Sequence, residues 1–197
     1  ENLVGRSLPF WECVFPKLQA RFPSQLSGIT LDRFYRAINR VAPSPIRVEA
    51  DEATYNLHVM LRVDLEIALI EGRIAVRDVP ALWTQGMQEY LGITPNDHAS
   101  GVLQDVHWSA GLFGYFATYT LGNVIASQLW DAFSRANPGF EDRMRAGDFS
   151  PLLSWLRTGL HQHGRKYDPQ ELVERTTGSR IDPAPYRRYL HEKYGAI

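Results

Sequence analysis

The stretch GVLQDVHWSAGLFGYFATY, residues 101–119, places a Gln, an Asp, a His and a Trp before a run of glycines and aromatic residues. It leads into the longest uncharged segment of the chain, because the first acidic or basic residue after Asp105, histidine aside, is Asp131. An uncharged segment of this length is typical of a membrane span, of a buried helix or of the wall of an active site.

Residues 106–130 are long enough to span a bilayer, but their composition argues against a span. The positive-inside rule requires a cluster of Lys or Arg beside a membrane span, and no such cluster flanks these residues. Several polar side chains would need partners inside hydrocarbon, namely His107, Ser109, Thr118, Thr120, Asn123, Ser127 and Gln128. The sequence therefore predicts a buried helix that crosses the centre of a helical domain, and no membrane partner.

Composition places the chain among ordinary globular proteins. Its 197 residues are 44% hydrophobic and 22% charged, which is enough to bury a substantial core. The formal net charge of −1 gives no electrostatic basis for binding nucleic acid. The single cysteine, Cys13, excludes an intrachain disulfide and favours a cytoplasmic location, with a small buried apolar role. We expect one domain over residues 1–197.

The chain begins ENLVGRSLPFW, without an initiator Met, a basic region or an apolar signal region. It reads as the middle of a helix with no residue before it to cap it. We therefore expect no signal peptide, and an N-terminus that is a cut within a longer protein.

Secondary structure is predicted to be mostly α. Residues 30–39 carry apolar side chains at helical spacing behind Thr30, which can cap a helix. Residues 45–72 read as one long amphipathic helix. Asp78 as cap, Pro80 in the first turn and Gly92 as stop define another helix. Four further segments between residue 140 and the C-terminus each open near Pro, Asp or Ser and close on Gly.

The histidines do not make a metal site on their own. A zincin site needs H-E-x-x-H, and no such motif occurs in the sequence. HEKYG, residues 191–195, has Gly where the second His must be, and HQH, residues 161–163, puts its two rings on different helix faces. His58 is most simply a core or surface histidine of the long helix.

Arg47, in SPIRVEADE (residues 44–52), has two interpretations. With Ser44 as cap, it falls in the first turn of the predicted helix, where the helix dipole disfavours a cation. It either pairs with Asp51 at i,i+4, or points away from its helix and binds an external carboxylate through its planar fork.

The opening stretch offers a second candidate group. His107, Tyr115 and Tyr119 lie next to glycines that allow a ligand or backbone to approach closely. Phenol and imidazole donors directed at one cavity can stabilise an oxyanion, and the alternative is a packed aromatic core with its hydroxyls satisfied. Asp105 either orients an imidazole of another segment or caps the following helix.

Two motifs resemble those of a known family. IRVEAD, residues 46–51, is similar to I/V-R-x-x-A-D, and GVLQDVHW, residues 101–108, to G-x-x-Q-D-x-H-W, of the carboxypeptidase Taq family. The resemblance runs the whole length of the chain. It implies a mostly helical, two-lobed clamshell related to neurolysin and angiotensin-converting enzyme, and a metallocarboxypeptidase of broad specificity that uses zinc, cobalt or another divalent metal.

The resemblance also implies roles for individual residues. Arg47 would bind the terminal carboxylate of a peptide substrate, and His107 would line the same pocket or donate to the scissile carbonyl. Tyr115 and Tyr119 are both candidates for the oxyanion donor. Gln104 and Asp105 would support the substrate-binding residues.

The family's metal-ligand segments align upstream of residue 1, so the chain resembles the C-terminal portion of such an enzyme. We expect this portion to bind no metal specifically and to be inactive without the missing N-terminal portion. The alternative is an independent helical module that binds peptide C-termini or partner proteins without catalysis. A homodimer is a further expectation from the family.

Overall fold

The computed structural model describes residues 2–195, which contain helices, turns and no β-strand. The prediction of a mostly α fold is therefore confirmed. Glu1, where the expected cut falls, lies outside the described residues. The helices are α1 (Asn2–Gly5), α2 (Leu8–Arg21), α3 (Pro23–Leu26), α4 (Leu31–Ile38), α5 (Tyr55–Ile70), α6 (Val79–Leu91), α7 (Ala117–Ala136), α8 (Phe140–Arg145), α9 (Ser150–Gly159), α10 (Pro169–Thr177) and α11 (Ala184–Tyr194). Short 3-10 turns cover Arg47–Glu49, Val76–Asp78 and His161–His163.

The chain forms two compact units. Unit 1 combines the residues up to Asn39 with those from Asn123 onward, and unit 2 is the continuous segment Arg40–Gly122. The core of unit 1 is aromatic: Phe133, Phe140 and Met144 are buried, with Trp130 and Trp155 packed against them. Cys13 is half-buried, whereas the sequence predicts a fully buried position for it.

Unit 2 is built on the packing of α5 against α6. Leu61, Leu65, Trp83 and Met87 form its buried core. Gly86 allows the two helices to approach closely, because a Cβ at this position would overlap the Leu61 side chain. This rigid pair fixes the inward face of α5, from which the site described below is assembled.

Local signals for helix ends are confirmed where they were clearest. The Thr30 hydroxyl accepts a hydrogen bond from the Arg33 N–H at the start of α4. Asp78 precedes α6, although its carboxylate accepts from the Ala75 N–H instead of from the helix. Gly92 ends α6 in the left-handed conformation, with φ of 70°.

The predicted helix over residues 106–130 is wrong in its first half. Residues 106–116 are turns, and Gly111 and Gly114 have φ of 73° and 80°, which an α-helix cannot accommodate. Helix α7 begins only at Ala117 and buries one face, through Val124, Ser127, Gln128 and Phe133. Asp105 therefore does not cap a helix. No helix in the described part of the chain is long and apolar enough to cross a membrane.

The predicted helix over residues 45–72 is wrong in its first third. Arg47 lies in a separate 3-10 turn after an extended Ile46, and α5 starts at Tyr55. The Asp51 carboxylate caps the intervening turn, since it accepts from the N–H groups of Ala53 and Thr54 and from that of Ala42. Asp51 is thus occupied locally, and of the two interpretations of Arg47 the ion pair with Asp51 is wrong.

Candidate functional site

The turn that carries Arg47 is held by the side chain of Gln104. The Gln104 Oε1 accepts from the Arg47 N–H at 2.8 Å, and its Nε2 donates to the carbonyls of Pro45 and Ser100, both at 2.9 Å. One amide group therefore joins the segment before α5 to the turns that follow α6. The arrangement brings the two motifs of the sequence into direct contact.

The centre of the site is a carboxylate between two arginines. Arg47 donates from Nε and Nη2 to the same oxygen of Asp105, Oδ1, at 3.1 and 2.7 Å. Arg62, on α5, donates from Nε to Oδ2 at 2.7 Å, and its Nη2 lies 2.6 Å from that oxygen at an angle unsuited to a hydrogen bond. All three side chains are at most 9% exposed.

Burial and charge act in opposite directions on these groups. Burial raises the pKa of Asp105, but the hydrogen bond from Arg47 and the charge of Arg62 outweigh it and hold that pKa below its usual range. Burial lowers the pKa of Arg62 to about 10, against the stabilising charge of Asp105. For Arg47, the hydrogen bond and charge of Asp105 outweigh burial, so its pKa is raised. All three groups are ionised at neutral pH.

Arg47 is also enclosed by aromatic rings. Its Nη1 donates to the Tyr55 hydroxyl at 2.8 Å, and its Cζ lies 4.9 Å from the ring centre of Tyr119 and 5.8 Å from that of Phe116. A guanidinium has five N–H groups, and three of them are used in the bonds to Asp105 and Tyr55. One N–H on each of Nη1 and Nη2 is not bonded to any described residue.

His107 connects this cluster to Tyr119. Its Nε2 lies 2.9 Å from the Tyr119 hydroxyl, its Nδ1 is 3.8 Å from Asp105 Oδ1, and its ring packs on Phe116 at 4.3 Å between ring centres. If Nε2 carries the proton, it donates to the Tyr119 oxygen and leaves the phenolic proton to point outward. Burial raises the pKa of Tyr119, against the charge of Arg47, so the phenol is a proton donor at neutral pH.

Tyr115 lies beside this pair but is placed differently. Its ring centre is 5.8 Å from that of His107 and 5.6 Å from that of Tyr119, and the residue is 46% exposed. The structure therefore brings together all six residues singled out in the sequence, five through direct polar contacts and Tyr115 through ring packing: Arg47, Gln104, Asp105, His107, Tyr115 and Tyr119.

Sequence reasoning missed the contribution of α5. His58, Arg62 and Glu66 recur every four residues and form a buried polar stripe on a helix whose neighbouring positions are apolar. Arg62 also stacks on Trp83 at 4.4 Å, and Glu66 accepts from the Trp108 indole N–H at 2.8 Å. The four-residue spacing of polar residues within an apolar helix was the signal that could have identified Arg62.

The described residues do not fit a metal site. No group of three or more His, Cys, Asp or Glu side chains within residues 2–195 is arranged to hold an ion. His58 lies in the charged cluster, but Arg47 and Arg62 surround it with positive charge, and its pKa is lowered to about 4, chiefly by burial. The charge around His58 is therefore unfavourable for a cation.

Several known proteins are similar to this chain in sequence and in fold. The family described as carboxypeptidase Taq (M32) metallopeptidase matches residues 1–194. The chain is 47% identical over its full length to thermostable carboxypeptidase 1 of Thermus thermophilus and 43% identical to carboxypeptidase 1 of Bacillus subtilis. It superposes on the M32 carboxypeptidase of Deinococcus radiodurans with a TM-score of 0.97 at 46% identity, over 100% of this chain and 40% of the other. It spans 38% and 39% of the two curated relatives.

Proposed function

The chain belongs to the carboxypeptidase Taq (M32) family of metallopeptidases, and from this premise we propose that it forms the side of an active site that binds the terminal carboxylate of a peptide. The complete protein would release C-terminal residues from peptides with broad specificity. Because the described residues do not fit a metal, we assign the ligands of the zinc or cobalt ion to a part of the complete protein outside this chain. A cytoplasmic location and a homodimer are further proposals, which rest on the single cysteine and on the family.

The observation that carries the proposal is the state of Arg47. Among the described residues, its guanidinium keeps two unbonded N–H groups, one on each terminal nitrogen, while Asp105 and Tyr55 accept from its other donors. Two N–H groups on a planar fork suit a carboxylate. Since Arg47 is only 5% exposed, a bound carboxylate would be largely desolvated, which strengthens its attraction to the cation.

We assign the scissile carbonyl to the neighbourhood of Tyr119. Its ring lies against the Arg47 guanidinium, so a group bound next to the terminal carboxylate would be close to its hydroxyl. The donor role requires His107 to carry its proton on Nε2, because only this tautomer leaves the Tyr119 proton available to an oxyanion. We place the entrance beside Tyr115, whose ring is exposed next to both residues.

The test compares acid and amide substrates in the complete protein. Arg47→Ala should lower kcat/KM for free-acid peptides by an amount that corresponds to about 2–5 kcal/mol of lost transition-state stabilisation. Arg47→Lys should recover only part of this loss, since an ammonium lacks the planar fork. Peptides amidated at the C-terminus should already be poor substrates and lose little more. The variant should stay folded, because Arg62 still pairs with Asp105.

Equal losses for acid and amide substrates would assign Arg47 a structural role and contradict the proposal. Selective binding of free acids without hydrolysis in the complete protein would instead favour the non-catalytic module that binds peptide C-termini.

A further inference from the structure

The charges at the centre of unit 2 do not cancel. Arg47 and Arg62 each carry one positive charge and Asp105 carries one negative charge, so the three contacting groups have a net charge of one positive. All three side chains are almost fully buried. A buried excess charge is unfavourable unless an opposite charge binds to it.

Two neighbouring carboxylates, those of Asp51 and Glu66, are bound to other groups. The Asp51 carboxylate accepts from backbone N–H groups and the Thr54 hydroxyl, and the Glu66 carboxylate accepts from Trp108. Within the described residues, neither carboxylate lies within 4 Å of a nitrogen of Arg47 or Arg62. His58 adds no charge at pH 7, because burial lowers its pKa to about 4.

The two arginines also bind different oxygens of the Asp105 carboxylate. An isolated arginine and carboxylate pair prefers two parallel bonds to two different oxygens. Here both Arg47 donors share Oδ1, because Arg62 occupies Oδ2. Without Arg62, Arg47 and Asp105 would form a closed, neutral pair with little attraction for another anion.

We propose that Arg62 is a positioning residue that acts through Asp105: by neutralising this carboxylate, it leaves the charge and the outer N–H groups of Arg47 available to the terminal carboxylate of the substrate. The identity of the ligand rests on the function proposed above. Arg62 also donates from Nη1 to the His58 carbonyl at 2.7 Å and lies over Trp83. These contacts alone do not explain a second buried cation on a carboxylate that Arg47 already pairs.

The experiment measures binding directly. N-acetyl-alanine and its amide are titrated into the complete protein by calorimetry, and KM is measured for a free-acid peptide. Arg62→Met should weaken binding of N-acetyl-alanine about tenfold or more, raise KM by a similar factor, and leave the amide unchanged. Arg62→Lys, which keeps the charge, should stay within about threefold of the parent.

Two further variants separate charge from folding. Arg73→Met removes an exposed arginine just after α5, paired with Glu71, and should change none of these values. The double variant Arg62→Met/Asp105→Asn restores the net charge of one positive on Arg47 alone, and should bind N-acetyl-alanine more tightly than Arg62→Met. If Arg62→Met fails to fold, the double variant is compared with the parent protein and with Arg47→Ala: acid binding closer to that of the parent supports the inference, and a loss as large as that of Arg47→Ala contradicts it.

Unchanged acid binding in Arg62→Met, equal losses for acid and amide, or no recovery in the double variant would overturn the inference. These outcomes are independent of the proposed function. Acid binding that depends on Arg62 in a protein without peptidase activity would remove the function and keep the inference, whereas peptidase activity that depends on Arg47 but not on Arg62 would do the reverse.

Discussion

Gln128 in unit 1 and Arg47 in unit 2 are both buried polar side chains, but they use their hydrogen-bonding capacity differently. The Gln128 Nε2 lies within 3.2 Å of oxygens of Thr177, Ser179 and Arg180, and its Oε1 accepts from the Asp182 N–H. Both its nitrogen and its oxygen have partners inside the protein, and the side chain joins α7 to the segment after α10. Arg47 keeps two N–H groups that bond to no described residue, and with Arg62 and Asp105 it forms a group of net charge one positive.

The difference distinguishes buried polar side chains that stabilise the fold from those that can bind a ligand. A neutral amide with all partners inside the protein stabilises one conformation and has nothing left to offer a ligand. A charged group with donors left over is costly unless a ligand completes it, which is the usual condition of a binding site. The three predictions below test this contrast.

The largest effect is expected from Asp105→Asn. This change leaves Arg47 and Arg62 facing each other without a carboxylate, so the free energy of unfolding should fall by about 3–5 kcal/mol. Urea denaturation measures it. Asp131→Asn is the matched control, because Asp131 pairs with Arg135 and Arg188 at the surface and should lose less than about 1 kcal/mol. Similar losses in the two variants would contradict the charged centre.

The helices with capping signals could be predicted from the sequence because those signals are local. Thr30 before α4 and Gly92 after α6 act within one turn of their own position. The turn at Arg47 could not be predicted in this way, since the side chain that fixes it, Gln104, is 57 residues away. Periodicity alone therefore extended α5 too far toward the N-terminus.

The same limit applies to the site. Arg47 and Asp105 were both singled out, each from its own motif, but nothing in either motif indicates that one pairs with the other. Asp51, one of the two partners that the sequence allows for Arg47, is near it in the chain, whereas the fold brings Asp105 to it instead. The apolar stripe of α5 predicts the helix but gives no indication of the role of Arg62, which lies among those apolar residues.

An intermediate effect is expected from His58, which should make the free energy of unfolding depend on pH below about pH 6.5. His58 is fully buried, its ring nitrogens have no partner among the described residues, and burial with the charges of Arg62 and Arg47 lowers its pKa to about 4. Above about pH 6.5 both folded and unfolded states are neutral at this position. Between pH 6.5 and 4 only the unfolded chain takes up the proton, so stability falls as pH falls, by about 3 kcal/mol in total.

His58→Leu should remove this part of the pH dependence. At pH 7 the change should cost little, because the ring nitrogens donate to and accept from no described residue, so no hydrogen bond is lost. Unfolding free energies measured by urea denaturation at pH 7 and pH 5 give the comparison. A variant that keeps the slope of the parent protein between these values would show that another group causes it.

The smallest effect is expected from Gln128→Leu, and it bears most directly on the contrast between the units. Leucine matches the bulk of glutamine but leaves the Asp182 N–H and the carbonyls of Ser179 and Arg180 without their partner, so unfolding should become easier by about 2 kcal/mol. Gln85→Leu, on the exposed face of α6, should change stability by less than about 0.5 kcal/mol. Because both polar atoms of the Gln128 amide are bound to partners inside the protein, binding of N-acetyl-alanine to the folded protein should be unchanged. A selective loss of acid binding in Gln128→Leu would mean that full use of hydrogen bonds does not separate structural from functional groups in this chain.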